Sequence, residues 1–231
     1  MSSENPASKI KVQTTLPRHP FPPNAARAPI RTERLIIRAL TQDDLPALHA
    51  LRTQPEVMAC TALGRVDADV SETQAKLDPF LAPGDADTYN PGICLASTGE
   101  LIGLGGVFRP TSEVLGWPEV GYMIRKEHWG KGYATEFLRA YVKDWWGLPR
   151  EEGEVVVDGD SLLKDVVGEG GRVREMLGAI VEEGNIGSTR VMEKSGFKKF
   201  KAWTVKSRRA GHEGEDVTLV GFVNAGPEES A

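Results

Sequence analysis

The segment from residue 117 to residue 149 constrains the fold more than any other part of the sequence. Its first eight residues, Trp117–Ile124, predict a buried strand, and a glycine-bearing loop, Arg125–Gly132, follows directly. Apolar and aromatic residues then repeat with helical spacing, at positions 133, 137, 141, 145 and 148, until Pro149 ends the pattern. A strand that passes through two glycines into an amphipathic helix predicts a domain with mixed α/β structure.

The remaining elements follow from local patterns along the chain. Strands are expected at Arg34–Leu40, Gly92–Ser97, Leu101–Arg109, Val173–Val181, Phe197–Lys206 and Asp216–Val223. Helices are expected at Thr41–Thr53, Asp69–Leu81 and Asn185–Lys194. The resulting order, β-α-α-β-β-β-α-β-α-β-β, predicts the α/β class with a mixed sheet, because it lacks strict βαβ alternation.

Composition divides the chain into an arm, a domain and a tail. Residues 1–29 hold six prolines and predict a flexible, partly extended N-terminal arm. Residues 30–223 predict a single domain, and residues 224–231 a C-terminal tail. Within the domain, residues 150–171 carry five glycines and seven acids and predict an insertion with one short strand at Glu154–Val157.

Charge and cysteine content argue against several function classes. The net charge of −5 opposes non-specific nucleic-acid binding, although seven cations lie between Lys194 and Arg209. The longest stretch without a charged residue, Thr88–Gly99, has twelve residues, whereas a membrane-spanning helix needs about 20. Cys60 and Cys94 are too few for a disulfide framework, and no Cys/His cluster has metal-binding spacing. The N-terminus lacks a secretory apolar core, so a cytoplasmic protein is expected.

Gly130 and Gly132 make the central loop a candidate anion site. Glycine accepts positive φ and close backbone approach, so successive N–H groups can converge on one anion. The helix that begins at Tyr133 adds its dipole, and Lys131 adds a positive charge. A tight turn whose glycines only satisfy the backbone geometry explains the same residues equally well.

Two other phosphate-binding motifs fit less well. A P-loop needs serine or threonine after Gly-Lys, and here glycine follows Gly130-Lys131. A dinucleotide site could use Gly130-x-Gly132 with Asp158 as the ribose-binding acid. However, five residues separate the strand from the first glycine, and Thr135 stands in place of the third glycine.

Three blocks of sequence resemble one family. Glu127-x-x-Gly130-x-Gly132 is similar to the pyrophosphate-binding signature of the GNAT N-acetyltransferases, and its flanks resemble the RimJ/RimL-type branch. The segment Asn185–Phe197 is similar to that branch's Asn-x-x-Ser-x-Arg-Val-x-Glu-Lys-x-Gly-Phe motif. The segment Arg31–Arg38 resembles its first strand. Glu127 departs from the family's glutamine or arginine, and the connection at 150–171 is longer than is usual in the family.

This resemblance implies a fold and a cofactor site. The implied GNAT fold has a central, mostly antiparallel sheet with flanking helices, in which one parallel strand pair splays apart to hold acetyl-CoA. The implied acetyl-CoA contacts come from the central strand, the glycine loop and a helix start: Tyr122, Met123, Ile124, Trp129, Gly130, Lys131, Gly132, Tyr133, Ala134 and Asn185. For Trp129 to Ala134 the expected contacts to pyrophosphate are backbone amides. The implied reaction is acetyl transfer to a primary amine by direct attack in a ternary complex.

The resemblance also implies two catalytic residues, Glu119 and Ser188. Glu119 would deprotonate the amine, directly or through water, since a lysine-type amine has a pKa of about 10.4. A structurally paired acid is the alternative role for Glu119. Ser188 would hydrogen-bond the departing thiolate, with an ordinary helix serine as the alternative. Asn185 would contact CoA and could also cap its helix.

The acceptor and the assembly stay open at this stage. Small-molecule amines and protein N-termini are both compatible acceptors. A cationic amine is expected to be attracted to Glu119, and to Asp67, Asp69 and Glu72 if these acids line the same face. Monomer and homodimer are equally compatible. A non-catalytic CoA-binding module of the same fold is an alternative to an enzyme, because Glu127 adds no attraction for pyrophosphate.

Overall fold

The computed structural model of the chain describes residues 8–163 and 171–227. The strands in these ranges are β1 (Lys9–Pro17), β2 (Ile30–Arg31), β3 (Leu35–Arg38), β4 (Gly92–Leu95), β5 (Leu101–Arg109), β6 (Glu119–Ile124), β7 (Arg150–Asp158), β8 (Met176–Glu182), β9 (Lys198–Lys206) and β10 (Asp216–Ala225). The α-helices are α1 (Leu45–Arg52), α2 (Pro55–Met58), α3 (Val70–Leu77), α4 (Tyr133–Trp146) and α5 (Ile186–Lys194). Several short 3-10 turns connect them.

An eight-stranded sheet forms the centre of the described chain. Its strand order is β2-β3-β4-β5-β6-β8-β10-β9. Neighbouring strands are antiparallel except β6 and β8, which run parallel and are in register only at Glu119 and Gly178. This mixed sheet with one splayed parallel pair and flanking helices confirms the predicted fold class.

Helices cover both faces of the sheet. Helix α4 buries Phe137 and Trp145 on one face, against Leu35 and Ile37 of β3. Ile36, between these two strand residues, packs instead with the cluster formed by α1 and α3. Because successive strand side chains point to opposite faces, α4 and the α1–α3 pair must lie on opposite sides of the sheet. Each large apolar side chain buried in these clusters contributes roughly 1.5–3 kcal/mol to the hydrophobic stabilisation.

The predicted N-terminal arm and acidic insertion pair with each other. Strands β1 and β7 form a separate two-stranded antiparallel ribbon. Val12, Val155 and Val157 of this ribbon pack with the fully buried Trp117. The expectation of a flexible arm is therefore wrong for residues 9–17, where alternate side chains gain a buried partner in β7. The strand expected at Glu154–Val157 extends over the whole of β7.

Ordered structure also begins before residue 30. Phe21 is buried in the main core, with its ring centroid 5.9 Å from that of Trp145 and 5.6 Å from that of Tyr89. The predicted domain boundary at residue 30 consequently lies too late in the chain. Parts of the predicted arm, insertion and tail, namely residues 1–7, 164–170 and 228–231, lie outside the described residues.

Some predicted elements differ from the observed ones in extent. The helix expected at Thr41–Thr53 consists of a 3-10 turn, Gln42–Asp44, followed by α1. A further helix, α2, begins at Pro55, where we expected the helix to end, because proline is well accepted at the first helical position. The helix expected at Asp69–Leu81 is divided into α3 and a 3-10 turn, Asp78–Phe80.

A buried ion pair connects β7 to the residue before β8. Arg150 donates from Nε to Glu175 at 2.8 Å, while its Nη atoms donate to the carbonyl oxygens of Leu148 and Trp145. Glu175 is 3% exposed, and its other carboxylate oxygen has no hydrogen-bond partner among the described residues. Burial raises the pKa of Glu175 to about 7 despite the opposing effect of Arg150. Burial also lowers the pKa of Arg150, so desolvation outweighs the attraction within the pair.

We expect the free energy of unfolding to fall as the pH rises from about 4.5 to about 7. The Glu175 carboxyl group has a pKa of about 4.5 in the unfolded chain and about 7 in the folded protein. Its higher proton affinity in the folded protein stabilises the fold fully below pH 4.5, and this stabilisation is lost as the pH rises through 7. A shift of this size corresponds to at most about 3 kcal/mol. Urea unfolding at pH 5 and pH 8 measures the difference.

Glu152, an exposed acid of β7, provides the control for this experiment. Glu175→Gln should reduce the pH dependence, whereas Glu152→Gln, which changes an exposed side chain paired with Arg172, should retain it. An unchanged pH dependence in Glu175→Gln would contradict the assignment to the buried carboxyl group.

Candidate active site

The divergence of β6 from β8 leaves backbone groups of β6 without a strand partner. The N–H of Val107 in β5 donates to Tyr89 O at 3.0 Å, on the side away from β6. Val107 opposes Val120 of β6, and the direction of hydrogen bonding alternates along antiparallel strands. The backbone groups of Val120, Tyr122 and Ile124 therefore point toward β8. The pairing of Glu119 with Gly178 engages only the start of this edge, so the groups of Tyr122 and the N–H of Ile124 face the opening between the two strands. Such groups need a partner, so the cleft is suited to an extended ligand that carries amides.

Met123 has the opposite orientation. By the same alternation its N–H and C=O point toward β5, and its side chain packs with the α1–α3 cluster. Of the three strand residues expected to bind the cofactor, only Tyr122 and Ile124 direct backbone groups into the cleft.

The glycine loop lies where β6 leads into α4. Gly130 and Gly132 have φ values of 72° and 82°, a region that side chains rarely adopt. A Cβ atom added to Gly130 would have no atom within 4 Å, so open space adjoins the loop. Gly132 is the N-cap of α4, and the N–H groups of Tyr133 and Ala134 lie in its first turn, where no intrahelical acceptor exists. The loop and the helix start therefore offer unpaired donors for an anion.

Trp129 has a different role from the one expected. Its backbone N–H donates to Lys126 O at 3.0 Å and completes a 3-10 turn, so it is not available as a cradle amide. Its indole Nε1 donates to Ile124 O at 2.6 Å, and the side chain remains 44% exposed. Trp129 thus closes the end of β6 and presents its ring, instead of its backbone, beside the cleft.

Glu127, the residue that departs from the family signature, is neutralised by its neighbours. Its carboxylate forms an ion pair with Arg125 and accepts a 2.8 Å hydrogen bond from Gln54 Nε2, in the connection between α1 and α2. Hydrogen bonds from its own backbone N–H and from Gln54, together with the charge of Arg125, hold the pKa of Glu127 below its usual value. The acid therefore anchors the start of the loop to the α1–α2 connection.

The two lysines of the loop differ in their partners. Lys126 forms an ion pair with Glu56 of α2. Lys131 is exposed, and within the described ranges no acid or hydrogen-bond partner engages its ammonium group. Lys131 is accordingly the lysine of this loop whose charge is free to attract an anionic ligand.

Arg34, just before β3, braces the same loop from the other side of the helix start. Its Nη1 donates to Lys131 O at 2.9 Å, and its Nε and Nη2 lie 2.6 Å from Glu136 Oε2 in α4. Its guanidinium lies 4.8 Å from the centroid of the Tyr133 ring. Hydrogen bonds from Thr32 and Arg34 hold the pKa of Glu136 below its usual value although burial opposes this. The sequence does not indicate this role of Arg34, because no local pattern connects it to the glycine loop about 100 residues later.

Glu119 is buried at the closed end of the cleft. It is 8% exposed, and its Oε2 accepts a 2.5 Å hydrogen bond from Ser112 Oγ. Burial raises the pKa of Glu119, and the Ser112 hydrogen bond opposes this shift only in part. Glu119 stands at an odd-numbered position of β6, like Met123, and so belongs to the sheet face of α1 and α3.

Ser188 and Asn185 lie together at the start of α5. Asn185 Oδ1 accepts a 3.0 Å hydrogen bond from Ser188 N, which is the helix cap foreseen from the sequence. The hydroxyl group of Tyr122 donates to Ser188 Oγ at 3.1 Å. Only a backbone role is expected for Tyr122 from the sequence, because no local signal indicates this side-chain contact.

The acids expected at the acceptor entrance are occupied elsewhere. Asp67 is buried and accepts two hydrogen bonds from Arg52, at 2.6 and 2.8 Å. Asp69 caps α3 through the N–H of Glu72, and the Glu72 carboxylate is bound by Arg65. The expectation that these three acids attract a cationic amine is therefore wrong for Asp67, and the other two build the start of α3.

Metal ligation and membrane crossing find no support in the described parts of the chain. There, no group of three or more His, Cys, Asp or Glu side chains is arranged to hold a metal ion. No described helix combines the length and apolar character needed to cross a membrane.

The sequence matches one family over most of its length. The family described as acetyltransferase (GNAT) domain matches residues 34–198. YoaA, an uncharacterized N-acetyltransferase of Bacillus subtilis (strain 168), is 29% identical over 171 residues, which cover 74% of this chain and 82% of that protein.

Solved structures show a similar fold at low identity. An acetyltransferase (GNAT family) from Bacillus anthracis superposes with a TM-score of 0.62 at 20% identity, covering 86% of this chain and 98% of that one. Spermidine N-acetyltransferase from Vibrio cholerae, in complex with CoA and spermine, gives a TM-score of 0.58 at 16% identity, covering 84% and 97%. At these identities the likeness concerns the fold alone.

We expect Arg34→Met to loosen the glycine loop. Removal of the guanidinium releases Lys131 O and Glu136, and a hydrogen bond from a charged donor is worth about 1.5–3 kcal/mol. Hydrogen exchange in the peptide that covers residues 125–135 should become about tenfold faster or more. Arg65→Met, which breaks the comparable pair with Glu72, should leave that peptide unchanged. Equal exchange in both variants would show that Arg34 does not brace the loop.

Proposed function

The chain belongs to the GNAT acetyltransferase family, and we propose that it is an acetyl-CoA-dependent N-acetyltransferase acting on a primary amine by direct attack in a ternary complex. The observation that carries this proposal is the cleft between β6 and β8, which ends at a glycine loop and a helix N-terminus. The three sequence blocks described above support a place in the RimJ/RimL-type branch.

Acetyl-CoA suits the chemistry of both ends of this cleft. Its pantetheine arm carries amides that can pair with the C=O of Tyr122 and the N–H of Ile124, which have no strand partner. Its pyrophosphate is an anion for the donors at Gly130–Ala134 and the charge of Lys131. The Vibrio cholerae neighbour, solved with CoA, lends support through its shared fold. The alternative of a non-catalytic CoA-binding module rests mainly on Glu127, whose carboxylate is engaged by Gln54 and by Arg125, a cation that it shares with Glu100.

The proposed reaction assigns one task to each part of the site. Glu119 accepts a proton from the amine, and its raised pKa makes it a stronger base than an exposed glutamate. The N–H of Tyr122 faces the cleft and polarises the thioester carbonyl. The amine nitrogen bonds to the acetyl carbon, the carbon–sulfur bond breaks, and its electron pair stays on sulfur near Ser188.

The acceptor is proposed only as a class. Small-molecule amines and protein N-termini both fit the proposal, and the Vibrio cholerae neighbour is named for spermidine, a polyamine. A cytoplasmic location and a monomeric or homodimeric state complete the proposal.

Gly130→Val is expected to weaken CoA binding about tenfold or more, because a β-branched side chain opposes positive φ and fills the space beside the loop. Gly99→Val is the matched control. Gly99 has a φ of 75° against 72° for Gly130, and an added Cβ meets nothing within 4 Å at either position. Calorimetric titration with CoA measures both variants. Equal affinities would refute the assignment of the loop as the pyrophosphate site.

Release of free thiol from acetyl-CoA, with a panel of amines, polyamines and N-terminal peptides, tests the activity itself. Glu119→Gln should lower kcat about 10²- to 10⁴-fold and abolish the rise of kcat/KM with pH that reports ionisation of the base. Glu152→Gln, which changes an exposed acid of β7, should keep both. CoA binding without turnover on any acceptor would favour the non-catalytic module.

A further inference from the structure

The hydroxyl groups of Tyr122 and Ser188 connect the two sides of the cleft. Tyr122 belongs to β6, and Ser188 lies in the first turn of α5, which follows β8. The Tyr122 Oη to Ser188 Oγ distance is 3.1 Å, and both side chains are half-buried. The contact therefore joins elements whose backbones have already separated.

This pair retains one hydrogen atom for a third group. Two hydroxyl groups carry two hydrogens, and the bond between them uses one. Among the described residues neither oxygen has another hydrogen-bond partner, and Ser188 does not bond to Gly184 O, the acceptor four residues earlier that helix serines commonly use. The second hydrogen is therefore available to a ligand in the cleft.

The structure holds the base of both side chains. Tyr122 packs against the main core beside α4, and a Cβ atom added to Gly105 of β5 would lie 2.6 Å from Tyr122 Cβ. The backbone N–H of Ser188 is fixed by the Asn185 cap at 3.0 Å. Residues that are ordered before a ligand binds lose less entropy on binding.

Accepting the acetyl transfer proposed above, we propose that Tyr122 positions the Ser188 hydroxyl group to hydrogen-bond the sulfur that leaves the acetyl group. Because the Tyr122 hydroxyl group donates to Ser188 Oγ, the Ser188 hydrogen is not used between the two oxygens and is left to bond a ligand in the cleft. Tyr122 is thus a positioning residue that acts through Ser188.

The proton balance of the step is complete with groups already named. Before the attack, the ammonium form of the acceptor loses its first proton to solvent through Glu119. As the nitrogen–carbon bond forms and the carbon–sulfur bond breaks, the nitrogen loses a second proton to Glu119 and sulfur keeps the electron pair. The Ser188 hydrogen bond stabilises this thiolate; solvent then protonates it, and Glu119 returns its proton to solvent. Serine is a much weaker acid than a thiol of pKa about 8.5, so the hydroxyl pair donates a hydrogen bond and keeps its protons.

Tyr122 and Glu119 lie on opposite faces of one strand. Tyr122 stands at an even-numbered position of β6 and packs with the α4 cluster, whereas Glu119 is at an odd-numbered position. Burial raises the pKa of Tyr122, with Ser188 opposing the shift, so the hydroxyl group stays protonated at neutral pH. The amine is deprotonated on one face of β6, and the thiolate is stabilised on the other.

The pKa of the CoA thiol bound to the protein tests this role without any acceptor. The ultraviolet absorbance of the thiolate, followed over pH, should give a lower pKa for bound than for free CoA. Ser188→Ala should raise that pKa by about one unit and Tyr122→Phe by about half a unit, with CoA affinity at low pH nearly unchanged. The double variant should match Ser188→Ala, because Tyr122 acts through Ser188. Tyr89→Phe, which removes a 2.6 Å hydrogen bond to Asp144 away from the cleft, should have no effect.

Each outcome separates this proposal from the proposed function. A bound thiol with the pKa of free CoA, or additive effects of the two substitutions, would overturn the role of Tyr122 and leave the proposed acetyl transfer standing. Absence of CoA binding would overturn both proposals. A lowered thiol pKa that both variants raise would support the role of Tyr122 even if no acceptor in the panel were acetylated. Where turnover is found, Tyr122→Phe should lower kcat about threefold and leave KM for acetyl-CoA unchanged.

Discussion

The loss of main-chain hydrogen bonding between β6 and β8 determines how the rest of this protein is arranged. Neighbouring strands in the middle of a sheet normally satisfy one another, and here the parallel pair does so only around Glu119 and Gly178. The flanking pairs β5–β6 and β8–β10 remain hydrogen-bonded, with one register shift between Val107 and Arg109 of β5, and α4 covers the sheet beside the gap. A break in pairing at the centre of a stable sheet leaves backbone donors and acceptors fixed in place, ready for a ligand that supplies the missing strand.

Strand β6 then distributes different chemistry over three directions. Its odd-numbered side chains, with Glu119 and Met123, share a face with α1 and α3, and its even-numbered side chains, with Tyr122, share a face with α4. Its edge supplies backbone groups to the gap. Period-two alternation therefore separates an acid, a hydroxyl group and a row of amides by direction instead of by distance. A helix of the same length could not separate the three groups in this way, because its side chains return to the same face only every three or four residues.

The sequence was informative wherever local chemistry decides the structure. The positive-φ glycines at 130 and 132, the amphipathic α4 and the cap at Asn185 each depend on neighbours within a few residues. Prediction failed where burial depends on a distant partner. The apolar alternation in β1 is interrupted by lysines and indicates a strand only when its partner β7 is known. The contacts of Arg34 and Tyr122 depend on α4 and α5, which the folded sheet brings beside them. The site was thus predictable in its backbone and not in its side-chain pairs.

The ribbon of β1 and β7 has a consequence for the order in which the chain folds. Pro17 is opposite Arg150, so closing the ribbon encloses β2 to β6 and α1 to α4 in one loop. The entropy of closing a loop grows with its length, and such contacts form late unless the intervening structure has already shortened the path. During synthesis β1 leaves the ribosome well before its partner exists. The earliest strand of the described chain is therefore among the last to be paired, and the compact sheet must form first to bring its two distant ends together.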